Sequence, residues 1–500
     1  MNVVDYFLEN SQKLDKMCVA GTKETITYKE LWERVNYLAS YIHDKFGREK
    51  EILLLSDNNL FFILSYLAIM KSGNIVVLVE SRITEKQLVS IIKRCSLSAI
   101  FTQEIYKKKV AAYENVFTET LLESLPEKGH DIESEIKDDD IAVIIFTSGS
   151  TGEKKGVILT HKNIRANTES IIEYQELTDK DRIEVALPFF YCFGASLLHT
   201  HLRVGGSMVL NKSIFLGSVI KEINEYKCTG FAGVPATYQI LISRANFLEQ
   251  KLPSIRYFAQ AGGKLPNKFI AMITEAFSDK SFFVMYGATE ATARLSYLEP
   301  HLVKKKLGSI GKGIPGVTLE VLNENDVQIK PGEVGEITAI GENIMKGYYK
   351  DTEETNRILK NRRYYTGDLA TVDDDGFIYV VGRSKNIIKS AGYRISPNEI
   401  EDVILELEGV SACVVLGLPD EIMGEAVVAV VETKEPNEKF KDEIISECNR
   451  ILPSYKVPKN IVFIKNMPLN SSRKIDRFQI KEMMMSVYKN GEIPLELKVK

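Results

Sequence analysis

Apolar and polar residues follow one another along the first part of the chain in an order that predicts strands and helices in turn. Residues 28–45 place their apolar side chains on one face of a helix, and residues 60–71 predict a second helix. Short apolar runs at 51–56 and 74–79 predict strands. Strands separated by helices build mostly parallel sheets with helices on their faces. The pattern therefore predicts an α/β fold that continues to about residue 300.

Turn sequences become frequent after that point. Pro-Gly and Asp-Gly pairs separate short β-like segments between residues 308 and 383, which predicts a β-rich subdomain. From about residue 386, helices and apolar strands alternate again over a length that suits a small α+β domain. We therefore expect a large N-terminal domain over residues 1–384 and a small C-terminal domain over residues 385–500.

Composition narrows the class of protein. The 500 residues are 44% apolar and 26% charged, and the net charge of −4 comes from interspersed acids and bases. This composition is typical of a soluble globular protein and gives no electrostatic footprint for nucleic acid. The six cysteines are scattered without metal-binding spacing, the N-terminus lacks a signal-peptide layout, and no apolar run is long enough to span a bilayer. These features predict a cytoplasmic protein.

One stretch carries an unusual chemistry. Residues 141–146 predict a buried strand, and residues 147–156 after it are rich in hydroxyls, glycines and lysines. Such a loop can surround a polyphosphate with main-chain N–H groups and hydroxyls, and Lys154 or Lys155 can add a positive charge. The spacing does not fit the common P-loop, and a flexible surface turn is the alternative interpretation. The residues assigned to this predicted phosphate loop are Thr147, Ser148, Gly149, Ser150, Thr151, Gly152 and Lys155.

Four further motifs follow in a fixed order: Tyr286-Gly-Ala-Thr-Glu290, Tyr365-Thr-Gly-Asp368, Gly382-Arg-Ser-Lys and Asn470-Ser-Ser-Arg-Lys474. Together with the predicted phosphate loop they resemble the AMP-forming adenylate superfamily, which includes acyl-CoA synthetases, nonribosomal-peptide adenylation domains and firefly luciferase. The resemblance covers roughly residues 20–480. It implies that ATP activates a carboxylate to an acyl-adenylate with release of pyrophosphate, and that a thiol then takes the acyl group.

The resemblance also implies roles for the residues around the nucleotide. Glu290 matches the Mg²⁺ ligand, and a carboxylate suits a hard cation. Thr289 matches the residue that contacts the α-phosphate. Asp368 would accept both ribose hydroxyls, and Arg383 would hold ribose or phosphate. The positions that match the adenine-binding part of the site are Tyr286, Gly287, Gly262, Gly263 and Lys264.

The C-terminal part would serve each half-reaction in turn. Lys474 matches the lysine that stabilises charge in the adenylation transition state. Lys385 matches the hinge about which the C-terminal domain turns between the two half-reactions. Lys389 and Gly392 match the segment presented to a pantetheine thiol, where a glycine lets a narrow group pass close to the backbone.

The acyl pocket is implied by matches of lower specificity. Tyr191 matches the side chain at the mouth of the pocket. Cys192 takes the position where amino-acid-activating members carry an Asp, which disfavours an α-amino acid because its ammonium would be buried without a partner. Arg294 either pairs with a second polar or anionic group on the acid or makes a structural salt bridge. The remaining matches are Gly233, Ala259, Ala261, Met285 and Ala293, and either these small linings leave room for an extended acyl group or Phe190, Phe193 and Tyr238 fill the space.

Three functions are compatible with these motifs. The first is an acid–thiol ligase that makes acyl-CoA from ATP, Mg²⁺, an acid and coenzyme A. The second is a stand-alone adenylating enzyme that loads the phosphopantetheine of a carrier protein. The third, a non-catalytic AMP or acyl-AMP binding protein, is disfavoured by the presence of Lys474, Glu290 and Asp368.

The separate roles implied for the predicted phosphate loop and for Lys474 give a first prediction. Because the predicted phosphate loop would hold the part of ATP that leaves as pyrophosphate, Thr151→Ala should raise the apparent KM for ATP more than it slows the thioester step. Steady-state titration of ATP and a single-turnover assay of thioester formation measure the two effects. The reverse order of effects would contradict this role.

Overall fold

The computed structural model describes residues 1–21, 24–124, 132, 136–148, 154–211, 217–488 and 494–497. Its strands form four sheets. Two are large and carry helices, the third is antiparallel, and the fourth is built by the C-terminal part of the chain. Within the described residues, no helix has the length and apolar character needed to cross a bilayer.

The first large sheet has seven strands in the order β18-β8-β7-β4-β3-β5-β6, and the four central neighbours β7, β4, β3 and β5 run parallel. The helix at 60–71 is apolar on nearly all sides, and its residues 61–70 are all buried. The N-terminal elements are α1 (Val3–Leu8), β1 (Met17–Ala20), β2 (Ile26–Thr27), α2 (Tyr28–Phe46), β3 (Glu51–Leu55), α3 (Leu60–Lys71), β4 (Ile75–Leu78), α4 (Glu85–Arg94), β5 (Leu97–Thr102), β6 (Val116–Phe117), α5 (Leu121–Ser124), β7 (Ile141–Ser148), β8 (Lys154–Thr160) and α6 (His161–Gln175).

The second large sheet has nine strands in the order β15-β14-β13-β12-β11-β9-β10-β1-β2. The strands from β13 to β1 run parallel, so their carboxyl ends meet at one edge, where sites in such sheets are usually found. The elements are β9 (Arg182–Val185), α7 (Cys192–Val204), β10 (Ser207–Leu210), α8 (Gly217–Glu225), β11 (Gly230–Gly233), α9 (Pro235–Arg244), β12 (Tyr257–Gln260), α10 (Asn267–Ala276), β13 (Ser281–Tyr286), β14 (Ser296–Leu298) and β15 (Lys312–Gly313).

The third sheet is antiparallel and confirms the predicted β-rich region. Its order is β16-β17-β20-β19, with β21 also paired to β20. The elements of this region are β16 (Val317–Leu322), β17 (Gly335–Gly341), β18 (Gly347–Tyr348), α11 (Thr352–Ile358), β19 (Leu359–Lys360), β20 (Arg363–Val372) and β21 (Ile378–Arg383). β18 follows β17 along the chain but belongs to the first sheet, where it pairs with β8.

The C-terminal part of the chain forms the fourth sheet. Alternate residues of its long strands face two separate apolar clusters, one containing Val415 and Val431 and the other Val414 and Val430. Helices cover both faces as a result. The elements are β22 (Ile388–Ser390), β23 (Tyr393–Ile395), α12 (Pro397–Leu405), β24 (Val410–Asp420), β25 (Gly424–Thr433), α13 (Glu438–Ile451), β26 (Asn460–Ile464), α14 (Arg477–Val487) and β27 (Glu496–Leu497).

The predicted phosphate loop is shorter than the sequence indicated. Residues 147–148 extend β7 and residues 154–156 belong to β8, with Thr147 opposite Lys155 in the antiparallel register. The hydrogen-bonded ladder continues through these polar residues because nothing in them breaks a strand. Gly156 serves packing in this hairpin, since a Cβ there would lie 3.0 Å from atoms of both Ile144 and Tyr349.

Candidate active site

A carboxylate lies at the centre of the predicted ribose site. Asp368 is 5% exposed on β20, directly opposite Arg383 on β21. It accepts hydrogen bonds from the Tyr286 hydroxyl at 2.6 Å and from Arg383 Nε at 2.8 Å. Asp368 raises the pKa of the Arg383 guanidinium, while burial and Asp368 together raise the pKa of Tyr286. A carboxylate has about four acceptor positions, so Asp368 can also take the two hydroxyls of a ribose.

Glu290 lies in a short 3₁₀ helix, Thr289–Ala291, beyond the end of β13. The Tyr348 hydroxyl donates to its Oε1 atom at 2.7 Å, and Lys155 Nζ lies 5.2 Å from the centre of the Tyr348 ring. Lys155 pairs with Glu354 at 2.5 Å. Hydrogen bonds from Arg357 and Lys155 lower the pKa of Glu354 to about 2, which keeps that carboxylate charged at neutral pH. Tyr348 and Glu354 were not predicted, because no motif marks them and they reach the site through the pairing of β18 with β8.

Glu290 fits a magnesium ion that is held mainly by its nucleotide. Among the described residues, no group of three or more acidic, histidine or cysteine side chains could hold a metal by itself. Mg²⁺ commonly binds through one or two carboxylates, with phosphate oxygens and water completing its octahedron. A single oriented carboxylate is therefore a suitable protein ligand.

The segment after β13 turns back sharply along its own strand. A Cβ at Gly287 would lie 2.0 Å from the carbonyl oxygen of Ala293, so only glycine fits there. Thr289 donates to Cys192 Sγ at 3.3 Å. The Asn343 amide donates to the carbonyl of Arg294 at 2.8 Å and fixes the far end of the turn.

Lys474 reaches this region from the C-terminal part of the chain. Its Nζ lies 5.0 Å from the centre of the Tyr191 ring, and a Cβ at Gly262 would lie 3.0 Å from Lys474 Cε. Burial lowers the pKa of Lys474, but the Tyr191 hydroxyl beside it has the opposite effect, and the net pKa is raised. The lysine is therefore a cation at neutral pH. Asn470 accepts a hydrogen bond from the Lys474 backbone N–H at 3.0 Å and holds the turn that presents it.

Further contacts join the two parts of the chain around Lys474. Lys264 Nζ lies 2.5 Å from Asp402, so its side chain turns toward α12. Lys268 donates to the carbonyls of Leu407 and Val410, both at 3.2 Å. The adjacent Gly263 carbonyl accepts from the Gln260 amide at 2.7 Å.

The predicted hinge lies near Arg383 and the Lys155–Glu354 pair, and the predicted thiol segment lies on β22 and in the turn after it. Lys385 is in a 3₁₀ turn, Ser384–Asn386, and burial together with the charge of Arg357 lowers its pKa. Lys389 is exposed on β22. Gly392 has φ +83° in the turn between β22 and β23, with no atom within 4 Å of an added Cβ. The structure therefore brings Lys474 to the nucleotide residues and leaves the β22–β23 turn open.

Of the acyl-pocket matches, Tyr191 is half-buried and the others are buried, and Tyr238 fills the space at one of them. A Cβ at Gly233 would lie 3.2 Å from Thr237 Cβ and from the Tyr238 ring. The Tyr238 hydroxyl donates to the Ala259 carbonyl at 3.0 Å. The buried residues of this set are Cys192, Gly233, Ala259, Ala261, Met285, Ala293 and Arg294.

Arg294 is 2% exposed and lies with its guanidinium 4.0 Å from the centre of the Phe193 ring. It donates to the Ala293 carbonyl at 3.2 Å and to Met285 Sδ at 3.3 Å. In the described ranges no carboxylate forms an ion pair with it. The structural salt bridge considered from the sequence is therefore not found there.

Part of the predicted phosphate loop lies outside the residues that the structure describes. Gly149, Ser150, Thr151 and Gly152 lie outside the described residues, as does the side chain of Ser148. Thr147 donates to the Lys155 carbonyl at 3.4 Å across the hairpin.

Two family models match this chain. The model described as AMP-binding enzyme matches residues 8–349, and the model described as AMP-binding enzyme C-terminal domain matches residues 399–474. The first match covers more than half of the sequence. The chain belongs to the AMP-binding enzyme family. The superfamily and the α/β fold class predicted from the motifs are confirmed.

Relatives of this family member match over nearly its whole length. A 2-succinylbenzoate–CoA ligase from Geobacillus sp. (strain WCH70) is 30% identical over 461 residues, covering 92% of each chain. A long-chain-fatty-acid–CoA ligase from Salmonella typhimurium is 27% identical over 518 residues, covering 94% of this chain and 92% of the relative. The protein is therefore an AMP-forming acid–thiol ligase.

A solved structure supports the same conclusion. The o-succinylbenzoate–CoA synthetase from Bacillus subtilis, in complex with ATP and magnesium ion, is 26% identical with a TM-score of 0.85, covering 96% of this chain and 99% of that one. A second structure of that synthetase holds its acyl-adenylate intermediate.

The Tyr348–Glu290 hydrogen bond gives a prediction about magnesium. Tyr348→Phe removes the donor that orients the Glu290 carboxylate, so the Mg²⁺ concentration for half-maximal pyrophosphate exchange should rise about tenfold, the usual effect of losing a hydrogen bond to a charged group. Exchange rates measured over a Mg²⁺ titration test this.

Tyr349→Phe is the matched control, because the Tyr349 hydroxyl donates to Glu51 at 2.7 Å, also a carboxylate but one on β3. Equal shifts in both variants would show that Tyr348 does not act through Glu290.

Proposed function

We propose that this protein activates a carboxylic acid with ATP and Mg²⁺ to an acyl-adenylate, and then transfers the acyl group to coenzyme A. The main support for the proposal is that Lys474 contacts Tyr191 and Gly262 near the start of α7. In the same structure, Tyr286 and Arg383 donate hydrogen bonds to Asp368.

In the first half-reaction the chain binds the nucleotide and lowers charge repulsion. Asp368 accepts the ribose hydroxyls, and the Tyr286 ring borders the adenine. Glu290 holds the magnesium ion, which when bound neutralises phosphate charge. Lys474 places its ammonium between the attacking carboxylate and the α-phosphate, where negative charge develops. Thr289 orients the α-phosphate beside it.

The second half-reaction requires a different face of residues 385–500. We propose that this domain turns about Lys385 and brings Lys389 and Gly392 to the nucleotide side. The turn must break the Lys264–Asp402 ion pair, the Lys268 hydrogen bonds and the contacts of Arg244 with Asn466 and Glu432, which are partly exposed and therefore individually weak. Such an interface suits a domain that must detach in every cycle.

The acid is not an α-amino acid. Cys192 stands where a carboxylate would be needed, and burial raises the pKa of its thiol, so the thiol stays neutral. Arg294 adds a buried positive charge close by. An ammonium group would find no counter-ion among these residues, and the arginine would repel it.

Coenzyme A is the acceptor that the relatives favour over a carrier protein, since both matching relatives are CoA ligases by name. All six cysteines are buried and unpaired. This supports a reducing compartment, and we propose the cytoplasm.

Lys474→Ala tests the first half-reaction. Removing the ammonium should lower acid-dependent pyrophosphate exchange about a hundredfold or more, because a preorganised charge at the reacting centre is lost. Thioester formation from synthetic acyl-adenylate should change little, since that step uses the other face of the domain. Lys465→Ala, an exposed lysine of the same domain, is the control. Comparable loss in the two assays would contradict the assignment.

Lys385→Pro tests the hinge. Proline fixes φ and should block the rotation, so adenylation should persist while thioester formation is abolished. Lys385→Ala removes the same side chain without constraining the backbone and should retain both steps. If proline impairs the two half-reactions equally, Lys385 is not the hinge.

A further inference from the structure

A cluster of buried polar side chains lies beside the start of α7. We call it the arginine cluster and define it as Arg294, Met285, Tyr174, Gln175 and Phe193. Arg294 Nε, the Tyr174 hydroxyl and Gln175 Nε2 all approach one atom, Met285 Sδ, at 3.3, 3.0 and 3.6 Å. A thioether sulfur is a weak acceptor. The Tyr174 hydroxyl and the Gln175 amide oxygen are neutral acceptors, so the cluster offers the guanidinium no anionic acceptor.

Arg294 differs from the other arginines that approach the interior. Arg256 and Arg477 are each about one-third exposed, and each pairs with a buried carboxylate, Asp181 at 3.1 Å and Glu401 at 2.5 Å. Arg294 is the only buried arginine in the described part of the chain, and no carboxylate there pairs with it. The Phe193 ring at 4.0 Å stabilises the cation, but it cannot accept the five N–H groups. A buried charge without an anion is costly, so a missing anionic partner is the physical expectation.

The start of α7 contacts both this cluster and the groups around Lys474. Tyr191 lies against Lys474, Cys192 accepts from Thr289, and the next residue, Phe193, stacks on Arg294. Three consecutive residues thus connect the adenylation lysine to the buried guanidinium. An acid with its reacting carboxylate at Lys474 can direct its other end toward Arg294.

We propose that the acid substrate carries a second carboxylate, which Arg294 binds. This inference rests on the proposed function and deepens it by naming the substrate class as dicarboxylic acids. A planar guanidinium matches a carboxylate with two parallel hydrogen bonds, and the Tyr174 hydroxyl can add a third donor. A monocarboxylic acid with an apolar chain would leave the guanidinium buried and unpaired.

Pyrophosphate exchange with paired acids tests the proposal. The panel contains straight-chain dicarboxylic acids from four to ten carbons and monocarboxylic acids of the same lengths, and aromatic acids with and without a second carboxylate. The wild-type protein should prefer the best dicarboxylic acid to its monocarboxylic partner at least tenfold in kcat/KM. Arg294→Met, which keeps the length of the side chain without the charge, should lose that preference. Arg294→Lys should retain part of it.

Arg203→Met is the matched control, because Arg203 also lies over an aromatic ring, Tyr6 at 4.1 Å, but is paired with Glu9 outside the site. It should leave the ranking of acids unchanged. The ATP-induced rise in melting temperature shows whether each variant is folded and binds nucleotide. Should Arg294→Met not fold, the Arg294→Lys ranking decides.

The outcomes separate the inference from the proposed function. If the wild-type protein uses monocarboxylic acids as well as dicarboxylic ones, or if the Arg294 variants keep the wild-type ranking, the second-carboxylate inference is overturned while the ligase function stands. Exchange with no acid of either series would overturn the proposed function, and the inference with it.

Discussion

The contact of Lys474 with Tyr191 is the interaction on which the rest of the site depends. It brings a positive charge from the C-terminal part of the chain to the start of α7, in a half-buried position. A lone lysine would not hold such a position, because desolvation disfavours its charge. The Tyr191 ring stabilises the charge of Lys474, and Gly262 leaves room for its side chain. Under the proposed rotation, the C-terminal contacts through Lys264 and Lys268 have to hold the domain only for the first half-reaction.

The charges around this lysine are arranged by function. Two carboxylates, Asp368 and Glu290, each accept from a tyrosine hydroxyl that fixes their orientation. The tyrosine hydroxyls are neutral donors, so each carboxylate keeps its negative charge and can still bind a ribose or a metal ion. Lys155 is already neutralised by Glu354 at 2.5 Å. Within the described residues, Lys474 and Arg294 lie near these carboxylates without a carboxylate ion-pair partner of their own.

The sequence predicted much of this fold because its signals are local. The helix at 60–71 has in the structure the bounds that the apolar pattern indicates, and the strand predicted at 51–56 ends one residue earlier. The prediction was wrong at residues 147–148 and 154–156, where polar residues that look like a loop continue the strands β7 and β8. The pairing of β7 with β8 depends on backbone hydrogen bonds, which polar residues can make as well as apolar ones. The polar composition therefore did not show where the two strands end. Tyr348 was missed for a related reason, since only the pairing of β18 with β8 brings it to Glu290.

The sequence by itself determined the family, the order of the motifs and the reaction class, because a nucleotide site needs particular residue types at particular spacings. The tertiary structure alone decided which residues share an environment. It placed Arg294 in the interior without a carboxylate partner among the described residues, whereas the sequence favoured a structural salt bridge. It also placed Lys474 against Tyr191. Burial and the absence of a counter-ion are properties of packing between distant segments, and spacing along a chain does not encode them.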